Sequence, residues 1–270
     1  MKAFSKFDVI LVSEVPEEAK IKDVTKKRAY LMKLLLDANS HELSGRGDDE
    51  AVEDLWQIAI SKPSGPGNQE VHVCFAKKPV KIIKYTTNFN ANGTALDHAP
   101  LCVILKDERF EEPANRTWAF SSVHFPPKAR AHERDAQIKA FVSTYSTNSE
   151  FRCETPFTAK GAKDAQQDIV HHVVAGDFNC FPDPETFELK KNGFAPPLLG
   201  ECVSTSAGGS AYDNFLVCAK TEQSFVLNRT VLELEMVNTP ADGSYGVSDH
   251  SPIMLSIQET KNTTKKTTKK

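Results

Sequence analysis

VVAGDFNCFPDPE, residues 173–185, runs from apolar residues into Gly176-Asp177-Phe178-Asn179 and then into a proline-rich turn. An apolar run that stops at Gly-Asp-x-Asn reads as a buried strand delivering a carboxylate and a carboxamide to a sheet edge. Glycine at such a point lets a ligand approach the backbone. The pair can hold a hard cation and a phosphate oxygen. The same residues also suit an Asx turn that merely closes a strand, so the meaning of the stretch depends on what the other strand ends carry.

Four other apolar runs end or begin on chemistry. GVSDHSPIML (246–255) sets Asp249 and His250 side by side before an apolar strand, and AFSSVHFPP (119–127) ends a strand on His124. SAYDNFLV (210–217) places Asp213 before Phe215-Leu216-Val217, and FDVILVSEV (7–15) places Glu14 after VILV. Histidine exchanges protons near neutral pH, and carboxylates bind hard cations or orient water. Each cluster alone also fits a polar turn or a satisfied edge histidine. Their shared position at strand ends and their order along the chain make the set specific.

Composition bounds the answer. With 270 residues and 40% hydrophobic content, the chain can bury one sizeable core. No run approaches the ~18 apolar residues of a membrane span, and the first residues lack the basic-then-apolar shape of a signal peptide. The net charge of −3 hides an asymmetry: KNTTKKTTKK holds five lysines, leaving 28 basic against 36 acidic residues in the rest. That tail has nothing apolar to bury and is expected to be disordered over 259–270, after a single domain over 1–258. The six cysteines form no CxxC or CxxH pair, which argues against a structural zinc site. Cys74, Cys102 and Cys218 read as core thiols, whereas Cys180 and Cys202 lie in turn-like sequence where an oxidising compartment could pair them. Sequons at Asn92, Asn115, Asn228 and Asn262 would suit a secreted chain.

Short apolar runs predict strands at VILV (9–12), HVCF (72–75), CVIL (102–105), WAFSSVHF (118–125), IVHHVVAG (169–176), FLVC (215–218) and PIML (252–255). VTKKRAYLMKLLLDAN (24–39) is rich in helix formers. Ile138, Phe141, Val142 and Tyr145 fall at i, i+3, i+4, i+7 after a charged run, predicting a second helix. SGRGDDE (44–50), KPSGPGNQE (62–70) and TNFNANGTALD (87–97) read as loops, and no period suggests a repeat. The order is α and β mixed throughout.

Taken in order, Glu14-Val15, HFPP (124–127), GDFN (176–179), AYDNFLV (211–217) and SDHSP (248–252) resemble the exonuclease–endonuclease–phosphatase superfamily. With HFPPKARAHERDAQI (124–138) and the Glu-Val-x-Val run from Glu70, they are most similar to its deoxyribonuclease I branch. The resemblance covers roughly residues 5 to 257. It implies an α+β fold of two packed β-sheets flanked by helices, a four-layer α/β/β/α sandwich with the site at one sheet edge. It further implies that His124 and His250 are the general acid/base pair, that Glu70 hydrogen-bonds His124 and Asp213 hydrogen-bonds His250, and that Glu14, Asp249 and Asp177 bind metal. Asp177 and Asn179 would contact the scissile phosphate. An oxygen-rich ligand set favours Mg²⁺, with Ca²⁺ or Mn²⁺ as substitutes. The implied activity is hydrolysis of double-stranded DNA by a secreted monomer. The alternatives are a phosphodiesterase acting on lipid or abasic DNA, and a non-catalytic binding relative.

The chain departs from the branch pattern at several points. The strand that carries an active-site asparagine has no counterpart before Phe7, which predicts an unpaired apolar edge at FDVILV (7–12) and low activity. Pro16 stands where the branch has an arginine after Glu-Val, and His98 stands where it has an arginine that contacts phosphate. Ser210 replaces the cysteine that usually precedes Ala-Tyr-Asp, leaving Cys180 with Cys202 as a substitute pairing.

Overall fold

The computed structural model describes residues 7–16, 56–65, 70–86, 90–91, 94–110, 117–147, 170–206, 209–232, 250 and 253–259. The expected helix over 24–39, the loop over 44–50, Asp249, the sequons at Asn92, Asn115 and Asn262, and the lysine-rich tail from 260 lie outside these residues.

The strands are β1 (Val9–Pro16), β2 (Trp56–Ile60), β3 (Glu70–Lys77), β4 (Val80–Thr86), β5 (Asn90–Ala91), β6 (Thr94–Ala95), β7 (Leu101–Asp107), β8 (Thr117–His124), β9 (Val170–Asp177), β10 (Asp213–Val217), β11 (Phe225–Val231) and β12 (Ile253–Glu259). Among the described residues the α-helices are α1 (Ala131–Thr147) and the short α2 (Ala219–Ser224). A five-stranded sheet has the order β10-β9-β8-β7-β4, and a three-stranded sheet has the order β1-β3-β2. The chain passes from one to the other between β3 and β4, through Lys78-Pro79. No described helix is long and apolar enough to cross a membrane.

The two sheets pack face to face. Ala59, Cys74 and Ala76 of the smaller sheet meet Leu101, Val103, Leu105, Trp118, Val173, Phe215 and Val217 of the larger one. On the opposite face of the larger sheet, Cys102, Ile104, Ala119, Val174 and Leu216 pack under Ile138, Phe141 and Val142 of α1. Residues i and i+2 of a strand share a face, whereas helical neighbours recur at three and four. The sequence therefore supplies core to both kinds of element. β7 is buried on both faces and its residues 101–105 read as an unbroken apolar run for that reason, whereas β9, equally buried, carries His171 and His172 within its run.

The predicted strands all form, and the α+β sandwich is present. β2, β4 and β11 were not anticipated. β4 closes one edge of the larger sheet, with Lys81 and Lys84 exposed beside Ile83 and Tyr85, and lysines of this kind guard an edge against further pairing. Among the described residues β11 pairs only with β12, and it turns Asn228, Arg229 and Thr230 to solvent. The loop expected over 87–97 contains the β5–β6 ladder. Among the described residues β1 stands at one edge of the smaller sheet and pairs with β3. The cysteine expectations are corrected in part. Cys180 and Cys202 are free thiols, so the substitute disulfide is absent. The burial expected of Cys74, Cys102 and Cys218 stands, each being at most 1% exposed; Cys74 and Cys102 are free thiols, whereas Cys218 is disulfide-bonded.

Candidate active site

Strand register assembles the centre of the site. β8 runs parallel to β9 with His124 opposite Asp177, and β10 runs antiparallel to β9 with Asp213 opposite Asp177. Three chemically active residues thus stand in a row across three adjacent strand ends. The aromatic residue after each of the first two points the other way, into the core: Phe125 packs on Phe178 with centroids 5.6 Å apart and on Phe141 at 5.8 Å. The alternation along the strand lifts the polar residue out while anchoring the next one beneath it.

Gly176 is required by close approach. It has φ of +142°, and a Cβ there would sit 2.0 Å from the Val123 carbonyl oxygen. Any side chain would part β8 from β9 one residue below the site. The Asx turn also forms: Asn179, at φ 53°, donates its backbone N–H to Asp177 Oδ1 at 2.6 Å. Its Nδ2 donates to Asp177 Oδ2 at 3.0 Å and to the Phe125 carbonyl at 2.9 Å. Arg134 of α1 holds the turn through the Asn179 carbonyl at 3.0 Å. Both sequence readings of Gly-Asp-x-Asn are therefore realised, since the turn that closes the strand also orients the carboxylate.

Each histidine is tied to a carboxylate through Nδ1. His250 Nδ1 lies 2.7 Å from Asp213 Oδ2, and His124 Nδ1 lies 2.9 Å from Glu70 Oε2. A carboxylate can only accept, so each Nδ1 carries the proton and Nε2 presents its lone pair. Both Nε2 atoms approach Asp177 Oδ2, at 3.8 Å from His124 and 3.9 Å from His250. Asp213 is fixed from behind, where Thr205 Oγ1 accepts the backbone N–H groups of Tyr212 and Asp213 at 3.0 and 2.9 Å. Glu70 arrives from the other sheet, at the start of β3. The β1–β3 register pairs Pro16 with Glu70, which puts the backbone of Glu14 at that end of the smaller sheet.

Charge is concentrated on Asp177. Burial, and then the neighbouring Asp213 carboxylate, push its pKa up to about 6, while Asn179, His124 and His250 pull the other way. Asp177, Asp213 and His250 offer ligand atoms within 4.8 Å of one another. A buried carboxylate strained by a second one is a donor set that a cation would relieve, so the residues present fit a hard divalent ion.

A further participant is His98, which stands where the resemblance has an arginine. His98 places Nδ1 2.9 Å from the same Glu70 Oε2 that holds His124, and the two rings lie 4.5 Å apart. Burial, and then His124, keep His98 below its ordinary pKa against the pull of Glu70. Of the expected site residues, Glu70, His124, Asp177, Asn179, Asp213 and His250 come together. Asp249 lies outside the described residues, and of Glu14 only the backbone is described.

No family model matches the sequence, and no curated protein matches it. Solved structures do. D. rerio TDP2 complexed with single-strand DNA product is 16% identical over 96% of this chain and 88% of its own, with a TM-score of 0.54. ANGEL2, described as a 2′,3′-cyclic phosphatase and bound to adenosine-2′,3′-vanadate, is 12% identical over 95% and 83%, with a TM-score of 0.56. The human Nocturnin catalytic domain with bound sulfate is 13% identical over 92% and 81%, with a TM-score of 0.51. Likenesses at such identities show the fold alone: this chain shares the fold of these solved structures.

Proposed function

We propose that the protein is a Mg²⁺-dependent phosphodiesterase that hydrolyses double-stranded DNA. The observation that carries this reading is the convergence of two carboxylate-bound histidines on one buried aspartate. Hydrolysis of a phosphodiester needs one proton taken from water and one given to the leaving oxygen. Two imidazoles can do both, each step contributing about 10² to 10⁴ in rate. With Nδ1–H bound to Glu70 or Asp213, His124 and His250 each turn Nε2 toward the space before Asp177. One ring takes the proton of the attacking water and the other, entering as imidazolium, returns one to the departing oxygen. The carboxylates fix the tautomer and stabilise the imidazolium form.

Asp177, with Glu14 and Asp249 from the sequence resemblance, would hold the cation. Mg²⁺ bound there would offset the negative charge that builds on the phosphate. Asn179 has both amide hydrogens committed to Asp177 and Phe125, so it acts first by aiming the aspartate. The DNA substrate is inferred from the sequence likeness to the deoxyribonuclease I branch.

Plasmid cleavage with Mg²⁺, with and without EDTA, tests the reading. Nicking in Mg²⁺ that chelation abolishes is the expected result. Cleavage undiminished by chelator would remove the metal, and absence of cleavage with every divalent ion tried would remove the activity.

A further inference from the structure

The half of the site around Glu70 has a composition that proton transfer does not require. One carboxylate oxygen receives two imidazoles through the same kind of atom, with His98 Nδ1 and His124 Nδ1 each 2.9 Å from Glu70 Oε2. One ligand atom from each of the three residues lies within 4.8 Å of the other two. Two imidazole nitrogens and one carboxylate oxygen form the donor set that zinc-class cations take, whereas Mg²⁺ prefers oxygen. Ligand atoms around a tetrahedral zinc stand about 3.4 Å apart, given Zn–N and Zn–O bonds of about 2.1 Å. Opening each hydrogen bond by about half an ångström would turn this cluster into a coordination triangle.

The ligands are held in place beforehand. The His98 side chain is 3% exposed, and its ring lies against the backbone of Gly65, where an added Cβ would stand 2.7 Å from Cε1 and 2.9 Å from Nδ1. Gly65, at φ +79°, donates its N–H to the Asp97 carbonyl at 2.6 Å. Asp97 is in turn tied to Arg130 and Gln137. The Glu70 side chain is 26% exposed, which gives a cation an approach from solvent.

We propose that Glu70, His98 and His124 form a second metal site, for zinc-class cations, whose occupation stops catalysis. Its inhibitory effect rests on the role of His124 given under Proposed function. Coordination through Nδ1 requires that nitrogen to give up its proton, and a neutral imidazole then carries it on Nε2. No net proton leaves either ring. For His124 the consequence is loss of the Nε2 lone pair that faces Asp177, and at the same time Glu70 is withdrawn from orienting the ring. Zinc therefore competes with the working tautomer and leaves the Mg²⁺ ligands untouched.

Calorimetric titration of the full chain with Zn²⁺, in excess Mg²⁺, should give one bound zinc per chain. In His98→Asn the amide can still donate to Glu70 but offers no imidazole. Loss of an outer-shell partner already costs 10- to 100-fold in metal affinity, so this loss of a ligand should weaken binding at least about 100-fold. Zinc K-edge absorption on the unaltered chain should show two imidazole nitrogens, a result that needs no variant to fold. Zinc should slow Mg²⁺-supported cleavage in the wild type and much less in His98→Asn, each rate being compared with that variant's own zinc-free rate. Equal affinity in the two chains, or a zinc shell lacking two imidazoles, would overturn the site. Zinc bound with cleavage unslowed would overturn the inhibition. A chain that never cleaves DNA would remove the nuclease reading, while the titration and the absorption spectrum would still decide the site.

Discussion

His124 and His250 reach Asp177 at nearly the same distance, 3.8 and 3.9 Å, yet the carboxylates behind them are set differently. Asp213 belongs to the sheet that carries Asp177, sits one strand away, and serves one imidazole that is 20% exposed. Glu70 comes from the opposite sheet and serves two imidazoles, 10% and 3% exposed. Asp213 is placed by register in the ladder that carries Asp177, and the imidazole it serves can exchange that partner for water. Glu70 is a bridge between sheets, and its donors have little access to solvent. Matching distances to Asp177 therefore conceal unequal structural dependence: the two halves should matter equally to chemistry and unequally to stability.

The largest effect expected is catalytic. His124→Ala and His250→Ala should each lower kcat for plasmid cleavage by a factor on the order of 10² or more, with thermal unfolding still cooperative. Because the two rings serve one reaction, the double variant should fall well short of the product of the single losses. A variant that kept near-normal turnover would reassign its histidine to structure and break the symmetry of the chemistry.

The asymmetry appears next, in stability. Glu70→Ala leaves the Nδ1–H groups of His98 and His124, on rings 3% and 10% exposed, without their acceptor, at about 1–3 kcal/mol for each orphaned donor. A loss of roughly 2–6 kcal/mol in total corresponds to a fall in Tm on the order of 10 °C for a chain of this size. Asp213→Ala strands one donor that can turn to solvent, and should cost less than about 1 kcal/mol. Differential scanning calorimetry on the two variants ranks them. Equal falls in Tm would mean that the bridge between sheets carries no extra load.

These contrasts explain what the sequence could and could not disclose. His124, Asp177 and Asp213 are legible because each terminates an apolar run, and a polar residue at that place is conspicuous. The core strands are legible for the same reason. β4 and β11 are not, because each has exposed edge positions with little burial to write a pattern: Lys81, Ile83, Lys84 and Tyr85 in one, Asn228, Arg229 and Thr230 in the other. The attachment of Glu70 to His124 spans 54 residues and two sheets, so only the family resemblance foretold it. The attachment of His98 to the same oxygen was foretold by nothing. Its position was noticed as a lost guanidinium, but the partner of a buried ring depends on how β3 and β8 meet, and no local spacing encodes that.

The smallest effect expected separates the halves by pH. His72, one turn of the pleat beyond Glu70 on β3, is fully buried, with Nδ1 on Ser122 Oγ at 2.9 Å. Burial, then His124 and His98, lower its pKa to about 3. His172 on β9 is fully buried too and is lowered to about 3 by burial and then His171. Both rings are neutral in the folded protein, while in the unfolded chain each takes up a proton below the ordinary value of 6.5. The unfolded state thus binds more protons as pH falls, so the stability due to each ring is complete above pH 6.5 and declines from there toward pH 3. Between pH 6.5 and 5.5 the decline should be about 1 kcal/mol per ring. His172→Leu removes one of these protons from the linkage and should flatten the slope of unfolding free energy against pH by about half of the combined effect. Urea unfolding at a series of pH values measures that slope. If it is unchanged in His172→Leu, the acid sensitivity belongs to the crowded half of the site around His72, and the larger sheet does not contribute to it.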